Sequence, residues 1–299
     1  MAWHEISIRA PHEYVEPISY LFTRYGRGLS MESDGLDHIL LRTYLPATSS
    51  QRLAHIEVGV KLVSILEPLG ELAILEVPEK GWESAWKSHF TLLKVGRRIV
   101  VKPTWIEYEP EAKEVVIELD PGMAFGTGYH PTTYTSLEAM EQLVGTGSSA
   151  LDLGTGSGIL AIAAIRLGAS NVVALDIDPQ ALRAARRNLR RTGTTRRIKL
   201  VQGTLPDPAV RQGQFDLVVA NISARAICDR APFIVSALRA EGVLIASGML
   251  KDQGQEVLDT LKELGCSLIQ EWPRDDWVTL AFHPGPVQQG AGREGLAVT

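Results

Sequence analysis

The sequence predicts an α/β protein in which a small α+β domain of ferredoxin-like arrangement precedes a seven-stranded, Rossmann-like domain. In the first 80 residues, short strand-like and helix-like segments follow one another in an order close to βαββαβ. From residue 149 onward, near-continuous apolar runs alternate with helical patterns, as parallel strands covered on both faces require. The length of 299 residues favours two domains, because single hydrophobic cores commonly stop growing near about 250 residues.

Residues 1–80 form the first predicted domain. Alternating or apolar runs predict strands over residues 3–8, 38–45 and 71–77. Apolar side chains at helical spacing predict helices over residues 14–25 and 51–69. Together these segments predict a small antiparallel sheet backed by two helices.

Residues 81–118 follow as a predicted linker. Two β-rich runs, 98–102 and 114–119, flank the turn-like sequence Glu109-Pro110-Glu111-Ala112. We therefore expect this linker to contain a hairpin.

Residues 119–283 form the second predicted domain. Its strands are expected at residues 149–153, 171–176, 198–201, 215–221, 242–247, 266–272 and 277–282. Its crossover helices are expected at residues 159–167, 179–191, 226–238 and 253–264. Only four residues join the last two strands, so these strands are predicted to be antiparallel. Residues 284–299 are rich in Gly, Pro and Gln and are predicted to be a disordered tail.

The composition excludes several classes of protein. A net charge of −5 gives no global attraction to nucleic acid or anionic lipid. Two cysteines without zinc-type spacing indicate neither a disulfide framework nor a metal site, so no metal is expected. The N-terminus has no secretory pattern and no run approaches 18 apolar residues. We therefore expect a cytoplasmic protein that does not span a membrane.

A glycine-rich turn at residues 152–158 follows one strand and opens a helix. Its glycines allow a tight turn and the close approach of a ligand to the helix N-terminus. A dinucleotide fingerprint would place its third glycine where Ile159 stands, which favours S-adenosylmethionine (SAM) over NAD. Asp176 ends the next strand, where a carboxylate can accept hydrogen bonds from both ribose hydroxyls. The antiparallel pair that closes the sheet is also typical of SAM-dependent methyltransferases.

Two further segments are candidates for the site. Residues 120–133 contain three glycines and predict a loop that folds over a cofactor and leads into a helix near Thr132; the alternative is an irregular connection. His130 in this loop is assigned no catalytic role. Asn221 ends the fourth strand, where open α/β sheets bind ligands, and its amide can hold an incoming amine and contact SAM. The alternative is an Asn that only forms a turn.

These segments together resemble the bacterial ribosomal protein L11 methyltransferase family (PrmA). The segments that carry the resemblance are residues 120–133, 152–158, 176–179 and Asn221, and it extends over roughly residues 1–283.

The resemblance implies a cofactor site, a substrate and a reaction. It implies that SAM is held by Thr133, Gly154, Asp176 and Asn221. It also implies that the N-terminal domain presents a large-subunit ribosomal protein, which is methylated on lysine side-chain and N-terminal amines. Ser223 departs from the family, which usually has an apolar residue after Asn-Ile, and this affects the expected substrate pocket.

Eight basic residues lie between positions 183 and 199 with no acid among them, which invites an RNA-binding interpretation. The apolar residues Leu182, Ala185 and Leu189 of the same helix place the arginines on its solvent side. We therefore interpret the run as a solvated helix face and expect no direct contact with nucleic acid.

The sequence thus predicts a SAM-dependent protein methyltransferase. Attack of an amine on a sulfonium methyl group needs positioning and no covalent catalyst, and no catalytic residue is assigned. One alternative is a methyltransferase of the same fold that acts on another protein or a small molecule. Two others are an NAD-dependent oxidoreductase, which Ile159 opposes, and a non-enzymatic ribosome-binding protein that keeps the scaffold.

Overall fold

The computed structural model describes residues 2–11, 14–33, 38–65, 69–77, 91–119, 126 and 128–285. Within these residues the strands are β1 Trp3–Pro11, β2 Arg27–Ser33, β3 His38–Pro46, β4 Ala73–Val77, β5 Leu93–Val95, β6 Ile99–Pro103, β7 Val115–Leu119, β8 Ser149–Leu153, β9 Asn171–Asp176, β10 Ile198–Gln202, β11 Phe215–Asn221, β12 Leu238–Leu250, β13 Ser267–Arg274 and β14 Trp277–His283. The helices are α1 Val15–Tyr25, α2 Ser50–Val63, α3 Pro131–Leu143, α4 Ile159–Leu167, α5 Pro179–Arg191, α6 Ala224–Ala237 and α7 Lys251–Glu263. Residues 120–125 and 127 of the predicted loop 120–133, residues 81–90 of the predicted linker and the predicted tail beyond residue 285 lie outside the described residues.

The first sheet has the strand order β2-β3-β1-β4, and every neighbouring pair is antiparallel. This is the order of a ferredoxin-like βαββαβ unit, as predicted. Its core packs α1 and α2 on the sheet through buried residues that include Ile6, Ile8, Ile18, Phe22 and Ile56. The sequence analysis did not locate β2, because Arg27–Ser33 has only two apolar side chains, those of Leu29 and Met31, and the alternation is too short to stand out. Its pairing with β3 makes it a strand.

The second sheet is small and corrects the prediction for residues 81–118. The two β-rich runs form β6 and β7, but these strands pair in parallel, so the hairpin expected between them was wrong. The hairpin instead joins β5 to β6 through a turn that contains Gly96, whose φ is 57°. A parallel pair requires the chain to return to the end of the sheet at which the first strand began. The connection from Pro103 to Val115 is long enough to do this. Val95, Ile99 and Ile117 belong to the buried cluster that also contains residues of α3 and α4.

The third sheet has the order β10-β9-β8-β11-β12-β14-β13. The first five strands are parallel, and β14 pairs antiparallel with both β12 and β13, so the predicted closing hairpin is confirmed. Five strands and helices, namely β8, β9, β11, α4 and α5, have the predicted bounds. The side chains along β9 alternate between two buried clusters, since Val172 and Ala174 join one and Val173 and Leu175 the other. Both faces of the sheet are therefore covered, which explains the near-continuous apolar runs.

Membrane crossing was not expected from the sequence. Among the described residues, no helix is long and apolar enough to cross a membrane.

The buried cluster that Val173 and Leu175 join, on one face of the large sheet, allows a matched test of packing. Phe215 begins β11 and is fully buried, whereas Phe233 on α6 is 41% exposed. We expect Phe215→Ala to lower the free energy of unfolding by about 3–5 kcal/mol, because it leaves a cavity. Phe233→Ala should lower it by less than about 0.5 kcal/mol. Urea unfolding of both variants measures the difference, and equal losses would contradict the packing described.

Candidate functional site

The carboxyl ends of β8, β9 and β11 meet at one edge of the large sheet. The strand order changes direction between β8 and β11, and ligands of open α/β sheets bind outside such a point. A cavity of about 490 Å³ lies there, within the range of small-molecule sites. Its lining includes Gly154, Gly156, Asp176, Ile177, Asn221, Ile222 and Trp277.

The glycine-rich turn after β8 forms one wall of the cavity. Gly154, Gly156 and Gly158 have φ values of 79°, 55° and 84°, a backbone conformation that L side chains rarely adopt. A Cβ atom on Gly154 would collide with Cγ2 of Ile222. The turn is held in place because the amides of Gly154 and Thr155 both donate to the carbonyl oxygen of Leu175 at 2.9 Å.

Asp176 lies at the end of β9, as predicted, and lines the cavity. Its Oδ2 accepts a hydrogen bond from the amide of Gly156 at 2.8 Å, and its Oδ1 accepts one from the amide of Asp178 at 2.9 Å. Burial raises the pKa of this carboxyl, and the two amides oppose that shift. Each carboxylate oxygen has a second lone pair, so Asp176 is oriented by the backbone and can still accept from a ligand hydroxyl.

Asn221 and Thr133 lie together although 88 positions separate them in the sequence. The Asn221 amide donates from Nδ2 to Oγ1 of Thr133 at 3.4 Å, and Thr133 is fully buried at the start of α3. Oδ1 of Asn221 is buried and has no hydrogen-bond partner among the described residues. A buried amide oxygen without a donor is costly, so a ligand donor in the cavity would stabilise it.

His130 precedes α3 and acts as its N-cap. Nδ1 accepts a hydrogen bond from the amide of Thr132, and the ring packs edge-on against Trp277 with centroids 4.6 Å apart. Burial lowers the pKa of His130 to about 3, so its imidazole is neutral at neutral pH. An imidazole with so low a pKa is a weak proton acceptor.

Asp152 lies directly below the turn, and it is 2% exposed. Its Oδ2 accepts hydrogen bonds from the hydroxyl of Thr155 at 2.6 Å and from the amide of Ala161 at 3.1 Å. Its Oδ1 is buried and, within the described part of the chain, accepts no hydrogen bond. Burial raises the pKa of Asp152 to about 7, against the opposing effect of the Thr155 hydroxyl. The sequence identified the turn but not this buried acid.

A buried chain of hydroxyl groups holds the start of α3 against the sheet. Oγ1 of Thr279 lies 2.6 Å from the hydroxyl oxygens of both Thr135 and Ser247. The hydroxyl of Ser247 also donates to the carbonyl of Thr132 at 3.2 Å. These residues were not identified from the sequence, because Thr135 and Thr279 are 144 positions apart and no local pattern links them.

Ser223 also lines the cavity, and its structural role is clear. It is the N-cap of α6, and its hydroxyl accepts a hydrogen bond from the amide of Ala226 at 3.4 Å. An apolar residue could not form this cap. The serine at position 223, where the family usually has an apolar residue, therefore stabilises the start of α6.

The ferredoxin-like unit reaches the same cavity. Ser19 and Tyr20 of α1 are among the lining residues, and Tyr20 is 64% exposed. Neither residue was identified from the sequence, because the amphipathic pattern of α1 predicts only which face packs on its own sheet.

The cavity has the features that a nucleoside-containing cofactor needs. An oriented carboxylate faces it from β9, a turn without Cβ atoms permits close approach, and an amide oxygen of Asn221 lacks a donor. Three of the four predicted site residues, Gly154, Asp176 and Asn221, line this cavity. Thr133 lies behind them in contact with Asn221.

Comparisons with known proteins identify a family to which the chain is similar. The family model described as ribosomal protein L11 methyltransferase (PrmA) matches residues 2–284. A ribosomal protein L11 methyltransferase of Chloroflexus aurantiacus is 37% identical, with 93% of this chain and 97% of that protein covered. One from Pelotomaculum thermopropionicum is 38% identical, with 94% and 98% covered. The crystal structure of a ribosomal protein L11 methylase from Lactobacillus delbrueckii subsp. bulgaricus matches with a TM-score of 0.61 at 34% identity, covering 66% of this chain and 100% of that one.

The raised pKa of Asp152 gives a pH-dependent stability that can be measured. Because the folded-state pKa is about 7 and the ordinary value is 3.8, the unfolded chain binds fewer protons between these two values. Stability due to Asp152 is therefore present below about pH 4 and is lost as the pH rises to about 7. Relative to the neutral Asp152→Asn variant, the ligand-free wild type should lose up to about 4 kcal/mol over this range.

Urea unfolding at pH 4, 5.5, 7 and 8 measures this difference in free energy. Asp229→Asn is the control for the same chemical change at an exposed position, since Asp229 is exposed on α6. A difference between wild type and Asp152→Asn that stays constant from pH 4 to 8 would contradict the environment described for Asp152.

Proposed function

The chain belongs to the ribosomal protein L11 methyltransferase family, and from this premise we propose that it transfers the methyl group of SAM to amines of ribosomal protein L11. The acceptors are lysine side-chain amines and the N-terminal amine. The observation that carries the proposal is the convergence of Gly154, Asp176 and Asn221 on one cavity, in a chain that matches the family over residues 2–284.

Four residues hold the cofactor in this proposal. Gly154 permits close approach of the ligand, because any side chain there would meet Ile222. Asp176 accepts hydrogen bonds from the ribose hydroxyls through the lone pairs that the amides of Gly156 and Asp178 leave open. Asn221 offers its buried Oδ1 to a donor, and Thr133 fixes the orientation of its amide.

The reaction needs an electrophilic methyl group and a free amine in line with it. When bound, SAM supplies the methyl group on a positively charged sulfur. The chain orients the amine and excludes water, and positioning of this kind supplies much of the rate. A lysine amine has a reference pKa near about 10.4 and must lose a proton first. An apolar wall formed by Ile222 and Trp277 favours the neutral amine by disfavouring its charged form.

The N-terminal domain, residues 1–80, presents the substrate to the methyltransferase domain, residues 119–283. The contribution of Ser19 and Tyr20 to the cavity lining supports this role, because it brings α1 of this domain to the cavity. Ribosomal proteins are made and assembled into ribosomes in the cytoplasm, where we place the enzyme.

The substrate is tested directly by methyl transfer. Incubation with isotope-labelled SAM and purified ribosomal protein L11 should place label on L11, and mass spectrometry should locate it on lysine and N-terminal amines. Asp176→Ala should remove most of the labelling at limiting SAM, because it removes the charged acceptor of the ribose. Label on a different ribosomal protein, or on none, would contradict the proposed substrate.

The cofactor site is tested by a pair of glycine substitutions. Gly154→Ala adds a Cβ that collides with Ile222, whereas Gly193→Ala adds one at a similar φ of 69° with no atom within 4 Å. Both substitutions place alanine at a positive φ and so cause similar backbone strain. They differ because only the Cβ at position 154 crowds the wall of the cavity. Calorimetric titration should show SAM affinity lowered at least about tenfold in Gly154→Ala, a loss of at least about 1.4 kcal/mol, and little changed in Gly193→Ala.

Two outcomes of that titration would contradict the assignment. Equal SAM affinity in the two variants would mean that the turn at Gly154 does not contact the cofactor. Binding of NAD without binding of SAM by the wild type would favour an oxidoreductase.

A further inference from the structure

The outer face of α5 and the start of β10 carry a dense positive charge. The eight basic residues of this surface, here called the basic face, are Arg183, Arg186, Arg187, Arg190, Arg191, Arg196, Arg197 and Lys199, and all are exposed. Since the whole chain has a net charge of −5, the rest of the molecule carries −13 against the +8 of this face. Although 22 of the 30 Lys and Arg residues lie elsewhere, residues 183–199 thus carry a local excess of positive charge in an acidic protein.

The five arginines of α5 form a single stripe. At 100° per residue, positions 183, 186, 187, 190 and 191 fall within an arc of about 140° on the helix, and they extend over about 12 Å. Like charges recur at spacing i to i+4 in the pairs 183 and 187, 186 and 190, and 187 and 191, an arrangement that destabilises a helix. No described residue forms an ion pair with Arg183, Arg187 or Arg190. A face needed only for solubility would not require this repulsion.

We propose that the basic face binds the phosphate backbone of double-helical RNA. Seven of its eight cations are arginines, whose planar guanidinium groups bind phosphate oxygens in pairs. Duplex nucleic acid carries on the order of one charge per 1.7 Å of its axis, so the stripe meets several phosphates at once. The exposure of these residues confirms the sequence-based prediction of a solvated helix face, and the inference adds a ligand where the sequence led us to expect no direct contact with nucleic acid.

The composition of the face favours a nucleic-acid duplex over other anionic partners. Residues 183–199 contain no aromatic side chain, so they lack the stacking platform of a single-strand binding site. The apolar residues of α5, including Leu182, Ala185 and Leu189, are buried in the core, so this helix has no apolar face to insert into a lipid surface.

The basic face points away from the cofactor cavity. Ala181 lines the cavity near the start of α5, and it lies about 160° around the helix from Arg183. The inner side of α5 is tied to the glycine-rich turn, since Nδ2 of Asn188 donates to the carbonyl of Ser157 at 2.9 Å. RNA bound to the outer side would therefore leave the cavity open for an amine. The choice of RNA rests on the proposed function, because ribosomal proteins are bound to RNA in the ribosome.

The proposal is tested by RNA binding to the full chain. Fluorescence anisotropy of a labelled 20-base-pair RNA duplex is measured between 50 and 200 mM KCl for three proteins. They are the wild type, the triple variant Arg183→Gln, Arg187→Gln, Arg190→Gln, and the control Arg211→Gln, Lys251→Gln, Lys262→Gln. The control removes the same charge from exposed positions elsewhere.

We expect wild type and control to bind the duplex with similar affinity and the triple variant to bind at least about tenfold more weakly. The slope of log affinity against log salt should fall in magnitude by about 2 to 3, because about 0.7–0.9 is lost for each phosphate contact. Free energies of unfolding should show that the triple variant is at least as stable as wild type, because it removes like-charge repulsion.

Equal affinities of the two triple variants would overturn the proposal. Tighter binding of a single-stranded RNA, of a DNA duplex of the same sequence, or of a polyglutamate peptide would overturn the choice of double-helical RNA. Methyl transfer to free L11 is measured in parallel and should be unchanged in both triple variants. If the proposed function is wrong, the wild type will not transfer methyl groups to free L11. If only the RNA proposal is wrong, this transfer will be present and the two triple variants will bind the duplex equally.

Discussion

The carbonyl oxygen of Leu175 accepts hydrogen bonds from the amides of Gly154 and Thr155, and the geometry of the whole cavity depends on this pairing. It ties the turn that leaves β8 to the end of β9. The amide of Gly156 then falls within reach of the Asp176 carboxylate. Positive φ at the glycines makes the turn possible, and the nearness of Ile222 leaves no space for a side chain at Gly154. One wall of the cavity is therefore built from backbone, which lets a ligand approach closely.

Two buried polar groups near this turn lower the stability of the folded protein. Asp152 is held in the core with one oxygen unpaired among the described residues, and its pKa of about 7 shows how strongly burial disfavours the charged form. Asn221 likewise has a buried oxygen without a described donor. Buried polar groups in this condition cost free energy, and the oxygen of Asn221, which lines the cavity, lies where a ligand donor would satisfy it. By contrast, the hydroxyl groups of Thr135, Ser247 and Thr279 satisfy one another and fix α3, which carries Thr133.

Helix α5 has two sides with separate roles. Its inner side packs Ala185 and Leu189 against Gly158 and holds Ser157 through Asn188, so it supports the cofactor turn. Its outer side carries the arginine stripe. In an acidic protein such a concentration of positive charge gives one surface its own attraction for polyanions. The same helix thereby places an RNA-binding surface on the methyltransferase domain without obstructing the cavity.

The sequence by itself determined the succession of strands and helices along residues 149–283, because apolar periodicity marks each of them. It also determined that the last two strands are antiparallel, because the connection before Trp277 is too short for a crossover. It also located Gly154, Asp176 and Asn221, since the ends of parallel strands meet at one edge. Only the tertiary structure decided that β6 and β7 pair in parallel, that β2 is a strand and that Thr133 supports Asn221. It alone revealed the burial of Asp152 and the place of Tyr20 at the cavity. These features depend on contacts between distant segments, and such contacts leave no local pattern in the chain.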